Sequence, residues 1–442
     1  MRTQEKRKGD RETLLPIYDE IAKCTRCGFC LPTCPIYTIT GEERAVARGH
    51  NAHLQDIIEG KLEMSDELNA PLFECVLCRA CVTNCFSGVL THENVVKGRA
   101  LYMQKLGEPK LLQFVFRKLL PNPKKMAFYV RMAALGKKSK LDQVAKALGL
   151  LKWFGRDTDK VVDLVQKLPL RFFKERLDEL GPNPADAKGK VAYFVGCGTN
   201  YALPDVGFAT VRVLRGAGYS VEMLDNICCG LPAWGYGDLE ASKKLARHNV
   251  DLMEKLDVDA IVTDCASCSA FLKDYPTLFE DEPEYRERVE ALKTKIKALA
   301  EFLLEAGLPE MDGAVQARVT YHDPCHMSRY QNLVNEPREV IKKIPGVEYE
   351  ELPEADWCCG AAGTYNIAHH GQSMEILERK MGNVEKTKAN ILVTTCPGCK
   401  IQLSYGVRKH GLDCEVLDIA ELIDRVTKHP ARAQGSDATE PK

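Results

Sequence analysis

Ten of the nineteen cysteines in this 442-residue chain stand in one frame that is used twice. In the first copy Cys197 is followed by Cys228-Cys229 and then Cys265-x-x-Cys268; in the second, Cys325 is followed by Cys358-Cys359 and then Cys396-x-x-Cys399. Steps of 31, 36 and 3 residues become 33, 37 and 3. Each adjacent pair runs into a glycine, Gly230 or Gly360. Two neighbouring thiolates repel unless a cation neutralises them, and soft thiolates select zinc, copper(I) or iron–sulfur cages. An isolated cysteine is often just a small buried hydrophobe. Cys414, alone ahead of a short strand Glu415 to Leu417, reads that way; the duplicated ten do not.

Eight further cysteines make two runs of another kind. Cys24-x-x-Cys27-x-x-Cys30-x-x-x-Cys34-Pro35 has the spacing of a bacterial 4Fe–4S ferredoxin, and Cys75-x-x-Cys78-x-x-Cys81-x-x-x-Cys85 repeats it with Phe86 in place of proline. Three thiolates of such a run hold one cube and the fourth crosses to the other. Cys24, Cys27, Cys30 and Cys85 are therefore assigned to one cluster, and Cys75, Cys78, Cys81 and Cys34 to its neighbour. Structural zinc would need four ligands per site and has no use for the Cys-Pro tail.

The bulk of the chain sets bounds on these sites. There is room for two or three domains, and a net charge of −1 gives no general pull toward nucleic acid. No charged n-region with an apolar core opens the chain, and no apolar run reaches a span's length. Cysteine-rich sequence without a leader reads as metal chemistry in the cytoplasm rather than a disulfide scaffold.

The elements that would carry the thiols follow from periodicity. Residues 1–12 are polar and expected to fray. Between the ferredoxin runs, Arg44 to Leu68 is helix-prone, which lengthens a minimal ferredoxin into a helical one. Residues 110–140 hold nine Lys/Arg and no Asp or Glu, with apolar residues interleaved. Pro121 and Pro123 split them into two helices. Such a pair can fold over the cluster domain as a linker, lie on a membrane surface or dock on an acidic partner. Residues 141–188 read as helix and linker up to Gly181-Pro182-Asn183-Pro184. From there strands and helices alternate: strands at Val191–Val195, Tyr219–Leu224 and Ala260–Thr263, a helix at Pro204–Arg215 and another capped by Asp238. The second copy repeats the order with strands at Val319–His322, Val347–Leu352 and Ile391–Thr394. Every cysteine group of the repeat leaves the carboxyl end of a strand, where open parallel sheets bind ligands. The expected fold is α+β and multidomain: a helical two-cluster ferredoxin (13–110), a basic helical linker (111–188), and two tandem α/β modules with parallel sheets (189–310 and 315–430). The tail from about 430 is polar.

With these motifs the chain resembles proteins in which a dicluster ferredoxin precedes two cysteine-rich CCG domains. They include iron–sulfur subunits of glycolate oxidase, of D-lactate dehydrogenases and of anaerobic glycerol-3-phosphate dehydrogenase, and the catalytic subunit of heterodisulfide reductase. The resemblance rests on Cys228-Cys229-Gly230-Leu231-Pro232, Asp264-Cys265, His322-Asp323-Pro324-Cys325-His326, Cys358-Cys359-Gly360-Ala361-Ala362-Gly363 and Thr395-Cys396-Pro397-Gly398-Cys399. In heterodisulfide-reductase-like proteins five such cysteines hold a noncubane 4Fe–4S cluster. That implies two noncubane clusters here beside the two cubanes. Glycolate-oxidase relatives often lack one cysteine of the final pair, whereas this chain keeps all five twice.

The remaining candidates are modest. His322 and His326 flank Cys325 and can tune a cluster, relay protons or brace a loop. Trp234 and Trp357 beside the CCG pairs shield clusters from water. His369-His370 reads as surface. No G-x-G-x-x-G and no P-loop is present, so no flavin or nicotinamide site is readable. One-electron carriers alone cannot take a hydride, so the chain needs an FAD-containing dehydrogenase partner. The reading is an electron-transfer subunit passing electrons from 2-hydroxyacid (glycolate- or lactate-type) oxidation to quinone or a carrier protein, located in the cytoplasm or at the inner face of the cell membrane. The competing reading is a disulfide reductase acting at the CCG clusters; a scaffold with purely structural clusters is the third.

Overall fold

The computed structural model describes residues 9–139, 143, 163–165 and 167–428. Residues 9–110 are built of helices and the loops between them. Helices Ala47–Ile58 and Thr91–Leu106 pack on each other around Leu54, Ile57, Leu72 and Leu101. They meet closely because Gly98 has no side chain: a Cβ there would lie 2.9 Å from Leu54 Cδ2. Asp10 is buried and ion-paired with Lys105. This corrects the frayed start expected for residues 1–12: residues 9–14 are helical, and 1–8 lie outside the described residues.

The basic stretch forms the two helices that its prolines predict. Lys110–Phe114 runs on through a π turn, Val115–Leu119, and stops before Pro121. Pro123–Lys138 then starts behind Asn122, whose side chain accepts from Lys125 N. Of the helix and linker read for residues 141–188, positions 141–142, 144–162 and 166 lie outside the described residues; 167–188 are linker with two short helical turns, Phe173–Glu175 and Leu177–Leu180.

Two parallel four-stranded sheets follow. Strands β1 (Gly189–Tyr193), β2 (Tyr219–Met223), β3 (Ala260–Thr263) and β4 (Ile296–Ala298) lie in the order β2-β1-β3-β4. Strands β5 (Ala317–Tyr321), β6 (Val347–Tyr349), β7 (Ile391–Thr394) and β8 (Glu415–Asp418) lie in the order β6-β5-β7-β8. All pairings are parallel. β4 escaped the sequence reading because Ile-Lys-Ala is too short to show a pattern. In each sheet the chain steps to one side of the first strand and then to the other. The crevice at that reversal is where open α/β sheets hold ligands.

One apolar core joins the two modules. Tyr193, Val211, Leu214 and Leu303 of the first pack with Tyr321, Val340 and Ile423 of the second. Helix Pro204–Gly216 lies along helix Ile419–Asp424, and Arg212 clamps Asp424 at 2.9 and 2.5 Å. Among the described residues no helix is long and apolar enough to cross a membrane.

The ferredoxin is pressed against the first module at Gly237, the left-handed end of helix Leu231–Tyr236 (φ +91°). A Cβ there would stand 2.5 Å from Ala100 N. Gly237→Ala should destabilise the protein by roughly 2 to 4 kcal/mol, the sum of left-handed strain and overpacking, read as a lowered thermal midpoint. At the same contact, burial pushes the Glu93 carboxyl up to about 7 and that of Asp274 up to about 6. The folded state therefore holds protons that the unfolded chain releases near pH 4, and this contribution is lost as pH rises through 6 and 7. The midpoint should fall between pH 5 and pH 8, and Glu93→Gln should flatten that fall.

Candidate metal centres

The two ferredoxin runs take the same loop shape. Arg26 and Leu77, each just before the second cysteine, and Gly28 and Arg79, each just after it, all have positive φ (58°, 51°, 86° and 61°). Three of these four are not glycine, so the loop holds unfavoured backbone to turn its thiols inward. Cys34, Cys75, Cys78 and Cys81 line one small, largely apolar cavity, with Ile36 and Val46 in its wall. The fourth thiol of the first run thus sits with the first three of the second. Cys24, Cys27 and Cys30 form the other group, with Cys27 exposed. Phe29 and Phe86 meet edge-to-face at 5.1 Å and bring the Cys85 loop to this group. Burial raises the Cys34 thiol to about 12 and lifts Cys81 well above the ordinary thiol range. Such thiols ionise only when a cation offsets the loss of water.

Each CCG module gathers its five cysteines at the carboxyl ends of three strands. Cys197 follows β1, Cys228-Cys229 follow β2 and Cys265 and Cys268 follow β3; Cys325, Cys358-Cys359 and Cys396 with Cys399 do the same after β5, β6 and β7. Cys359 Sγ lies 3.5 Å from Cys399 Sγ. That is too far for a disulfide and too near for two unscreened thiolates. Cys359 is pulled below the ordinary thiol range by hydrogen bonds from Cys358 and Cys399, while Cys358 is pushed up by that bond and by burial. The donor set of each nest, soft, buried and crowded, fits an iron–sulfur cage.

The glycines have a geometric cause. Gly360 (φ +86°) would place a Cβ 2.6 Å from Ser373 O, and Gly230 (φ +99°) one 3.0 Å from Ser242 Oγ. Ser242 and Ser373 hydroxyls donate to the carbonyls of Gly230 (3.2 Å) and Gly360 (2.8 Å), anchoring each turn to the next helix. Gly360 N–H points at Cys358 Sγ (3.3 Å), the kind of bond that stabilises a reduced cluster.

The nests adjoin one another. Cys78 shares an apolar cluster with Cys358 and Trp357, with Cys34 and Cys325 packed against it. Tyr330 donates to Leu77 O (2.7 Å), tying the second module to the ferredoxin loop. At the junction of the two modules the Cys265 thiol hydrogen-bonds Cys396, and Ala266 N donates to Thr395 O (2.8 Å). At the far end Cys197 and Cys228 border a pocket lined by Lys174, Asn200, Tyr201, Asn226 and Leu120.

Some residues at these sites carry no sequence motif. Arg99, 4% exposed, donates to Leu72 O, to Cys75 O (2.6 Å) and to Gly235 O (2.5 Å), placing a cation between ferredoxin loop and first module. Asp264, just before Cys265, accepts from Tyr193 (2.6 Å) and Thr199. His326 stacks on Tyr330 at 4.4 Å, with Nδ1 3.3 Å from Ser267 Oγ; burial lowers it to about 4. His322 is 1% exposed, with one ring nitrogen within 4.8 Å of the Cys359 and Cys399 sulfurs. Trp357 is buried and donates to Ile376 O (3.1 Å), while Trp234 packs on Phe271. The surface reading of His369-His370 is corrected: His370 opens a helix, is buried and bonds Asn366 O through Nδ1 (3.1 Å), while His369 caps that helix half-buried and stacks on Tyr365. Cys414 is half-buried against the second module's core.

Comparison with known proteins agrees with this arrangement. Residues 20–89 match the 4Fe-4S dicluster domain family, and residues 191–273 and 319–404 each match the Cysteine-rich domain family. The chain is 33% identical to the probable glycolate oxidase iron-sulfur subunit of Bacillus subtilis, over 93% of this chain and 95% of that one. It is 26% identical to the glycolate oxidase iron-sulfur subunit of Escherichia coli, over 87% and 90%. It is 35% identical to lactate utilization protein A of Shouchella clausii, over 53% of this chain and 98% of that one. The ferredoxin-type loops, the doubled five-thiol nests and an alignment running nearly end to end lead to one conclusion: this chain belongs to the family of glycolate-oxidase-type iron–sulfur subunits.

Proposed function

We propose that this chain is the iron–sulfur electron-transfer subunit of a flavin-dependent 2-hydroxyacid (glycolate- or lactate-type) dehydrogenase. Cys24, Cys27, Cys30 and Cys85 hold one cubane cluster, and Cys75, Cys78, Cys81 and Cys34 the next. Cys325, Cys358, Cys359, Cys396 and Cys399 hold one noncubane cluster, and Cys197, Cys228, Cys229, Cys265 and Cys268 the other. Bound, these groups supply one-electron redox steps. The residues of the chain fix their order and keep them dry. The observation that carries the reading is the unbroken succession of nests: exposed Cys27, then Cys78 beside Cys358, then Cys396 on Cys265, then Cys228. The functional units taken for this purpose are 13–110, 111–188, 189–310 and 315–430. An FAD-containing subunit of the complex delivers electrons, and a quinone or a carrier protein removes them.

A disulfide reductase is the second reading. It is favoured by the full set of five cysteines in both modules and by the pocket beside Cys197 and Cys228. Thiol–disulfide activity of the isolated chain with an artificial donor would support it; an electron carrier shows none.

The contact with the inner membrane face is assigned to the basic hairpin. Its inner side packs on Cys228 through Phe116 and Leu120. Its outer side carries Leu111, Phe114, Phe128, Tyr129, Met132 and Leu135, all exposed. Helical spacing places Phe128, Met132 and Leu135 on one ridge opposite buried Ala134. Lys118, Lys124, Lys125 and Lys138 flank this ridge, with no acidic residue between Lys110 and Ser139. A convex apolar ridge edged by cations suits an anionic bilayer.

Loaded protein should contain about sixteen irons per chain. Cys229→Ser and Cys359→Ser should each lose about four of them and leave the other centres' electron-spin-resonance signals in place. Zinc with little iron would end the reading. Flotation with vesicles containing phosphatidylglycerol should recover the protein. Phe128→Ser combined with Met132→Ser should weaken that binding about tenfold or more, and neutral phosphatidylcholine vesicles should leave the protein behind.

A further inference from the structure

The two CCG modules are not chemically equal at one slot beside their thiols. His322 follows β5, and its backbone N–H donates to Val393 O at 2.9 Å. Phe194 follows β1, and its N–H donates to Val262 O at 2.9 Å. Each stands three residues before its module's first cysteine, Cys325 or Cys197. The two positions are structurally equivalent, and both side chains are essentially inaccessible to water (1% and 0% exposed). Phe194 packs in the apolar cluster that includes Cys229 and Cys268. His322 faces Cys359 and Cys399, the counterparts of those two cysteines. One slot thus holds a ring with no donor, and the other holds an imidazole.

Among the described residues neither ring nitrogen of His322 has a nitrogen or oxygen partner, and the polar group it meets is the Cys359 thiol. A buried polar group without a partner is costly. The groups within reach are the sulfurs of the second nest, and sulfur carrying negative charge accepts N–H bonds. A hydrogen bond to cluster sulfur stabilises the reduced state, which carries the greater negative charge, and so raises the potential. The benzyl ring of Phe194 gives no such bond and only excludes water.

We propose that His322 is a positioning and tuning residue: its ring N–H donates to sulfur of the second-module cluster and holds that centre at a higher potential than the first-module centre. The junction between Cys396 and Cys265 is then an uphill step for an electron leaving the second module. The second centre fills first and serves as the electron store. This rests on the cluster assignment above, and iron content separates the two claims.

The test is an anaerobic potentiometric titration of the full, loaded chain followed by electron spin resonance. His322→Phe, which makes the second slot a copy of the first, should retain all iron. At a fixed ambient potential its second-module centre should show a reduced-to-oxidised ratio about tenfold lower, as expected for loss of one hydrogen bond to a charged acceptor, with the other three centres unmoved. His322→Asn, which keeps an N–H donor, should restore part of the ratio. Phe194→His should raise the ratio of the first-module centre. Unchanged ratios in His322→Phe with full iron would overturn the inference and leave the cluster assignment intact. Loss of about four irons in His322→Phe would also overturn it, by making His322 a ligand. A wild-type chain without iron in the CCG modules would overturn the cluster assignment itself.

Discussion

A buried thiol resists ionisation, and a crowd of buried thiols resists it more. That constraint governs this molecule. Eighteen cysteines, eight in the ferredoxin runs and ten in the CCG frame, are gathered in groups, all but Cys27 buried or half-buried. Burial, with the neighbouring Cys78 and Cys75, lifts Cys34 to about 12. The free energy needed to desolvate such groups as thiolates is recovered when they close around cations. Under the proposed function, metal loading and folding are two aspects of one event, and the strained Arg26, Leu77 and Arg79 backbones are held by the same closure.

The parallel sheets are the means of concentrating thiols. Successive strands of a βαβ unit point the same way, so loops distant in sequence emerge at one edge. Cys197, Cys229 and Cys265 are separated by more than thirty residues at each step yet share one crevice. Duplication then sets a second crevice beside the first. The shared core of Tyr193 and Tyr321, with the Arg212–Asp424 clamp, fixes the separation of the two. Rigid spacing matters for electron transfer because each hop is sensitive to distance, while the chemistry at each centre is that of the cofactor.

The thiols, the two sheets and the broken basic hairpin were legible because each is written locally: spacing for cysteines, short apolar runs for buried strands, proline for helix ends. Asp238 as a helix cap was legible for the same reason, and its side chain does accept from Ala241 N at 3.1 Å. What escaped was written across the chain. Arg99 looks like any helical arginine until Gly235 and Cys75 are brought to it. Ser242 and Ser373 have no signature of their own, though aligning the two copies of the frame would have paired them. The same alignment sets Phe194 opposite His322. Asp10 and His370 were misplaced because polar residues near a terminus, or side by side, read as solvent-facing until a partner such as Lys105 or Asn366 O closes over them.

Exposure is unequal along the succession of nests. Cys27 lies open to solvent at one extremity, beside the bare rings of Phe29 and Phe86, while every CCG cysteine of the second module but Cys325 is buried. Dissolved oxygen and peroxide attack sulfur and iron where they can reach them. Corrosion of this protein therefore starts at its outermost cage and leaves the inner ones sheltered. Under the proposed function, damage of that kind breaks the relay at its exposed end before it reaches the enclosed centres, so the most accessible cage also works as a fuse.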